Sequence, residues 1–498
     1  MQRKVASERT QPIDISDYFT HNNGTAEHFF ELAYRRNGKT NGIHFVELLF
    51  TDLNGVQQHF RIPLESFTKK KGDHGPFNEG ILYDGSSIVG SQEIHVSDML
   101  LMPDPRTAYV STFQPDTVSV VGSIRDARTG EVYKKDPRNI ALLAREFLKK
   151  SKIADTMNVG PEIEFFLIDR VLYDIKGHAS SYSIDTIEGE WNSGNTNHGK
   201  NPVIRPKAGY FPVYSDVNDP IRKDMVEQMQ KLGIIVERDH HEVASGQDEI
   251  NIRYKEFVDM ADTVQLYKRI VREVAGKHGM RATFMPKIME GDNGSGMHVH
   301  QSLYKKSENL FHDGGNYANL SEIAKHYIAG LLKHAPALCA IIAPTTNSYR
   351  RLVPGFEAPV NLVYGEGNRS AAVRIPTNRG KNKNATRLEF RTPDPTADPY
   401  QAFSAMLLAG LDGISQKMIL EEPFEEDVYT YTGERKIEQA PGSLEEAVKA
   451  LERDHDFLVR PGVFSQEVID TLIDMRRKDA NAVKMAIHPK EIQLYVDR

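Results

Sequence analysis

Four short stretches of this chain alternate charged and apolar residues with a period of two: PEIEFFLID (161–169), DEINIRY (248–254), MHVHQSLY (297–304) and TRLEFR (386–391). Alternate side chains of an extended strand share a face. Glu162 and Glu164 therefore project together, as do Glu249, Asn251 and Arg253, then His298, His300 and Ser302, then Arg387, Glu389 and Arg391. Ile163, Phe165, Leu167, Ile250 and Ile252 face the other way. One such strand is ordinarily half of an amphipathic sheet with its polar side in water. Four of them, all backed by large apolar residues, predict converging polar faces and a charged cavity. Crowded carboxylates repel and raise one another's pKa, so they stay ionised together only with cations among them. An oxygen-rich donor set with an imidazole suits Mg²⁺ or Mn²⁺ better than zinc. Arginines on the same faces suit phosphate or carboxylate. Metal, arginine and carboxylate together are the usual equipment of phosphoryl transfer. Strand spacing leads this far and names no substrate.

The rest of the chain supplies a frame for that cavity. At 498 residues it is too long for one ordinary core. FVELLFTDLNGVQQHFRIP (45–63) holds two apolar-alternating runs around Asn54-Gly55, a hairpin signal. Asp136-Pro137 reads as an N-cap and first-turn proline, with Ile140, Leu143, Ala144, Phe147 and Leu148 at helical spacing. The domain boundary is therefore expected near 135, dividing a tail at 1–24, a first domain at 25–135 and a second at 136–498. Helices are predicted over 257–277 and 320–335, and a capping box at Ser443 and Glu446 starts another. Residues 170–209, rich in Gly, Asn and Ser, read as a long insertion over the core. A net charge of −7 gives no support to nucleic-acid binding. The single cysteine, Cys339, rules out an intramolecular disulfide. No apolar signal-peptide core opens the sequence, and no run approaches the roughly 18 apolar residues of a membrane span, so a cytoplasmic location is expected.

Longer motifs narrow the reading. GDNGSGMHVHQSL (291–303) resembles the ATP-binding signature of glutamine synthetases. LYDGSSI (82–88), GPEIEFFLID (160–169), GYFPV (209–213), ERDHHEVASGQDEI (237–250), APTTNSYRRLVPGFEAP (343–359) and NRSAAVRIP (368–376) resemble type I motifs of that family, in the family's order. The resemblance covers about residue 25 to the C-terminus. It implies an α+β fold: a β-grasp domain, then a catalytic domain whose antiparallel strands form half a barrel with flanking helices.

The resemblance also implies roles. One metal is expected on Glu164, Glu242 and Glu249, and a second on Glu162, His298 and Glu389. ATP is expected to meet Glu237, His300, Ser302, Arg374 and Arg387, and glutamate to meet Asn293, Gly294, Arg351, Arg369 and Arg391. Asp84 would bind ammonium and take its proton, with Ser87 beside it and Tyr210 across the site. Glu357 would close over glutamate. The Asp84 loop would serve a neighbouring subunit in a homo-oligomer of twelve. The implied activity is ATP-dependent ligation of ammonia to glutamate. A γ-glutamyl-amine ligase and a non-catalytic assembly protein are the alternatives; the ammonium residues argue against the first and the complete ligand set against the second.

The match has departures. MPKI lacks a second proline after Lys287, and HHEVASGQDE is one residue shorter than in one branch of the family. An ATP-contacting lysine expected before TRLEFR falls by spacing on Asn384, with Lys383 adjacent. DTIEGEWNSG (185–194) resembles an extra segment of the covalently regulated β branch of type I. In that branch a modified tyrosine precedes a GSLEEA helix start, which places adenylylation by a partner adenylyltransferase at Tyr429, with Tyr431 the alternative.

Overall fold

The computed structural model describes residues 26–35, 38–86, 98–192, 209–213, 215–355, 358–378 and 382–495. Ser87 and Glu357 lie outside the described residues.

The first unit is a mixed sheet carrying helix α1 (Ala26–Ala33). Its strands are β1 (Phe45–Thr51), β2 (Gln57–Pro63), β3 (Ile81–Asp84), β4 (Asp98–Pro103), β5 (Tyr109–Val110) and β6 (Thr117–Asp126). The order is β2-β1-β6-β4-β3, with β5 on β6, and β1 runs parallel to β6. This is the β-grasp arrangement. Phe29, Phe30 and Leu32 of α1 pack on Val46, Leu48, Val118 and Val120. The Asn54-Gly55 hairpin is present, although its connection spans residues 52–56 rather than two residues. The Asp52 carboxylate accepts from the N–H groups of Asn54 and Val56, and Gly55 has φ +81°. A side chain at Gly55 would also strike Asp398 at 2.8 Å, so glycine is needed twice over.

The second unit is built on a ten-stranded sheet. Its main strands are β7 (Thr156–Ile168), β10 (Val236–His241), β11 (Gln247–Ile252), β14 (Met297–Lys305), β16 (Asn361–Glu366), β17 (Ala371–Ile375) and β18 (Leu388–Phe390). They lie in the order β10-β11-β7-β14-β18-β17-β16, and the first five are antiparallel neighbours. Short β12 (Lys255–Glu256) and β13 (Arg281–Thr283) join β7, and β15 (Glu308–Asn309) joins β14. The apolar face of β7 packs on α3 (Phe257–Lys277), where Phe165 meets Tyr267. Helix α2 (Pro137–Ser151) begins at Asp136, whose carboxylate accepts from the Arg138 N–H.

Helices α4 (Glu322–Ile342) and α5 (Pro399–Gln416) cross in the core at Gly330 and Gly413. A Cβ on either would lie 2.2 Å from a carbonyl of the other helix, so only glycine permits this approach. The 320–335 expectation is short at its C-terminal end. The helix continues through Pro336 to Ile342 because it is buried nearly all round. The capping box opens α6 (Leu444–Arg453). Ser443 Oγ accepts from the Glu446 N–H at 3.2 Å, while Glu446 reaches back to the N–H of Gly442 at 2.8 Å. Helix α7 (Gln466–Lys484) follows. The presumed insertion contains a hairpin of its own, β8 (Arg170–Lys176) and β9 (Ala179–Asp185).

Buried polar links join the two units. Arg138 reaches Asp104 at 2.8 Å, Asp262 at 3.0 Å and Ser123 at 3.0 Å. Arg269 meets Glu47 at 2.7 Å, and Gln401 donates to the Leu53 carbonyl at 3.0 Å.

Candidate active site

Strand register assembles the charged face. Glu249 of β11 lies opposite His240 of β10 on one side and Glu164 of β7 on the other. Glu162 of β7 pairs with His298 of β14, and His300 pairs with Glu389 of β18, which pairs with Arg374 of β17. Neighbouring strands are about 4.8 Å apart, so these side chains form one continuous charged surface. His298 Nδ1 lies 3.5 Å from Glu162 and 3.9 Å from Glu389, and its Nε2 lies 3.9 Å from Glu164. His300 Nε2 is 3.0 Å from Glu162.

Two groups bring ligand atoms within 4.8 Å of one another: Glu162, His300 and Glu389, and His240, Glu242 and Glu249. Glu162, Glu389, Glu242 and Glu249 of the expected six fall in these groups, Glu164 and His298 do not, and two histidines with other or no assignments take part. His300, assigned to ATP, shares the Glu162–Glu389 cluster. His240, unassigned from sequence, faces Glu242 at 3.4 Å and Glu249 at 4.0 Å. The HH pair at 240–241 carried that signal.

The donor set fits divalent cations. Burial and the facing Glu242 push Glu164 up to about 8. Burial, followed by Glu164 and Glu162, pushes Glu249 well above the carboxylate range. Burial also acts on Glu162, but His298 and His300 outweigh it and hold that carboxyl low. His298 is pushed down to about 4 by burial and by Arg391, leaving a neutral imidazole with a free lone pair. A positive ion among these groups would offset the burial and the mutual repulsion that raise Glu164 and Glu249. Gln247 holds Glu164 in place: its Nε2 donates to the carboxylate at 2.9 Å, and the Gly296 N–H donates to the same oxygen at 3.0 Å.

Guanidinium groups surround this surface. Glu389 accepts from Arg374 at 2.5 Å and Arg391 at 2.6 Å, while the Nε of each arginine has no partner. Three of the five Arg351 donors are taken by the carbonyls of Arg391, Thr392 and Pro393, which leaves two for a ligand. Gly294 lies against Arg351, and a Cβ there would strike the Pro286 carbonyl at 2.4 Å. The N–H of the adjacent Asn293 is taken by the Asp292 carboxylate.

A cavity of about 280 Å³ adjoins Glu162, and Glu237, His300, Ser302 and Arg387 line it, four of the residues expected to meet ATP. Asn384 is on its wall; Lys383 and Arg374 are not. Arg387 Nε donates to His300 Nδ1 at 3.1 Å. Arg369 is exposed on a different, open cavity of about 520 Å³, which it shares with Tyr429. Tyr210, with φ +63°, sets its ring edge-on to His240 at 5.1 Å. Asp84 ends β3, exposed, with its carboxylate accepting from the N–H and hydroxyl of Ser86. It is not on the wall of the Glu162 cavity.

Sequence reasoning also missed Glu188. It is buried, ion-pairs with His241 at 2.7 Å and accepts from the Gly246 N–H at 2.6 Å, pinning both ends of the turn that presents Glu242.

Comparison with known proteins agrees with this geometry. Residues 42–127 match the family described as glutamine synthetase, beta-Grasp domain, and residues 134–495 match glutamine synthetase, catalytic domain. The chain is 46% identical over 463 residues to a protein of Frankia alni named glutamine synthetase, covering 91% of this chain and 96% of that protein. It is 47% identical over 461 residues to one of Streptomyces coelicolor with the same name, covering 91% and 96%. A cryo-electron microscopy structure of Plasmodium falciparum glutamine synthetase superposes with a TM-score of 0.85 at 27% identity, covering 95% of this chain and 98% of that one. A GmaS/ADP complex superposes at 0.77 with 29% identity, covering 92% and 97%. On its sequence, fold and charged strand register, the chain belongs to the glutamine synthetase family.

Proposed function

We propose that this chain joins ammonia to the γ-carboxylate of glutamate, consuming ATP and releasing glutamine, ADP and phosphate through γ-glutamyl phosphate. The observation that carries it is the register placing His240, Glu249, Glu164, Glu162, His298, His300 and Glu389 side by side. These residues would hold divalent cations, whose charge would offset the negative charge that builds during phosphoryl transfer. Glu237, Ser302 and Arg387 bind the nucleotide from the 280 Å³ cavity. Arg374 keeps donors beyond the one given to Glu389, and with Arg369 it disperses charge on the transferring phosphoryl group. Arg351 and Arg391 orient glutamate. Asp84 of a neighbouring subunit, together with Tyr210 and Glu242, holds ammonium and removes its proton, with Ser87 assisting, and Glu357 keeps water from the acyl phosphate. The boundary near 135 separates the β-grasp unit from the unit that carries this chemistry.

Phosphate release with ammonium, methylamine and putrescine as acceptors tests the reading. Release is expected with ammonium, and its loss in excess chelator. A preference for putrescine would move the activity to γ-glutamyl-amine ligation, and no turnover with any amine would leave an assembly role.

The chain fits the β branch of type I through 185–194 and Tyr429. The Tyr429 side chain is 37% exposed, and its hydroxyl donates to the Ala358 carbonyl at 2.6 Å. Adenylylation there would break that bond and set a bulky anion beside Arg369. Intact mass of protein from nitrogen-replete cells should show one added adenylyl group, absent in Tyr429→Phe. Unmodified protein whose activity still falls with nitrogen supply would exclude this control.

A further inference from the structure

A cavity of about 970 Å³ lies away from the charged face, between the β1–β2 hairpin and helices α3 and α7. Asn54 and Gln57 form its β-grasp wall; Lys268, Arg272 and Arg476 form its catalytic wall. Five lysines and arginines face it against three carboxylates. Two of those carboxylates, Glu47 and Glu273, are neighbours of Arg269, at 2.7 and 3.9 Å. The third, Asp479, takes part in no ion pair among the described residues.

Lys268, Arg272 and Arg476 form no direct ion pair among the described residues, although Asp398 acts at a distance on Lys268 and Arg476, and Asp479 on Arg476. Lys268 is 6% exposed, and among the described residues its ammonium donates to the Ala397 carbonyl at 3.3 Å and forms no ion pair. Burial, with Arg272 nearby, pulls it down to about 8. Arg476 is also 6% exposed; one Nη donates to Asn54 at 2.9 Å, and its buried Nε has no partner. Arg272 rests on the Phe284 ring at 4.7 Å and forms no ion pair among the described residues. Gln265, Lys268 and Arg272 recur at three- and four-residue spacing, so α3 presents them as one stripe. Lys268 and Arg476 are the buried members of this set, and an anion bound beside them would offset the cost of burying their charge.

We propose that this groove is a binding site for a small polyanion, bearing phosphate or carboxylate groups, held between the β-grasp unit and helices α3 and α7. The ligand's anionic groups take Arg272, Lys268 and the unused Arg476 donors, while Asn54 and Gln57 supply amides from the other unit. Because both units contribute, occupancy stiffens their junction.

Isothermal titration of the full chain, pre-saturated with magnesium and ADP, with inorganic phosphate in one arm and succinate in the other, tests this. Saturable binding is expected in at least one arm, weakening with added salt and about tenfold in Arg272→Gln and in Arg476→Gln. Binding by phosphate alone assigns a phosphate ester; binding by succinate alone assigns a carboxylate. No saturable binding in either arm overturns the proposal, as does affinity unchanged in the variants. Arg272 is exposed, so its variant folds and decides the matter if Arg476→Gln does not.

Discussion

At the scale of single residues, the site depends on side chains that hold other side chains. Gln247 is fully buried and spends its amide nitrogen on Glu164, the Gly294 carbonyl and Ser295 Oγ. Its carbonyl oxygen accepts from the Ala244 N–H, which fixes the amide's orientation. Removing it frees a carboxylate already crowded by Glu242. Partners of this kind set ligand orientation, and their loss typically costs about 10–100-fold in metal affinity. Gln247→Ala should weaken Mn²⁺ binding by that order in calorimetric titration, with the circular dichroism of the fold retained. Unchanged affinity would show that Glu164 needs no such support.

At the scale of elements, the junction of β4 with helices α2, α3 and α5 rests on a buried ionic network. Arg138 bridges Asp104 and Asp262, and Tyr400 donates to Asp262 at 2.6 Å. Burial pushes the Asp104 carboxyl up, but Arg106 and Arg138 outweigh it and hold it well below the usual range. A depressed folded-state pKa contributes stability that is present above the unfolded value of about 3.9 and lost as pH falls below it. Asp104→Asn should cost roughly 1–3 kcal/mol at pH 7, read as a lower thermal midpoint. The gap from wild type should narrow once the pH drops under about 4. A gap of constant size from pH 7 to pH 3 would mean that Asp104 acts through packing alone.

At the scale of the whole molecule, Asp84 is the residue that one subunit leaves unexplained. It is exposed at the end of β3, bonds with its own turn, and is not on the wall of the cavity beside Glu162. A closed ring of subunits would bring it to a neighbour's site. Co-assembling Asp84→Ala with Glu162→Ala should then restore part of the activity that each variant lacks alone. Full activity of a monomer in light scattering would remove the need for a neighbour.

The sequence by itself determined the elements that obey local rules. Period-two alternation marked β7, β11, β14 and β18, period 3.6 marked α3, and side-chain caps marked the starts of α2 and α6. The glutamine synthetase motifs named the acidic and imidazole residues now found side by side. Other features depend on contacts between distant segments. His240 joins the Glu242–Glu249 cluster only through the β10–β11 register, and Glu188 reaches His241 across 53 residues. Helix α4 outran its expected end because its turns after Pro336 are buried against the core, and tertiary burial overrides a local breaker. The cation cluster of the interdomain groove became visible only in three dimensions, since which carboxylates lie near Lys268 or Arg476 depends on what folding brings together.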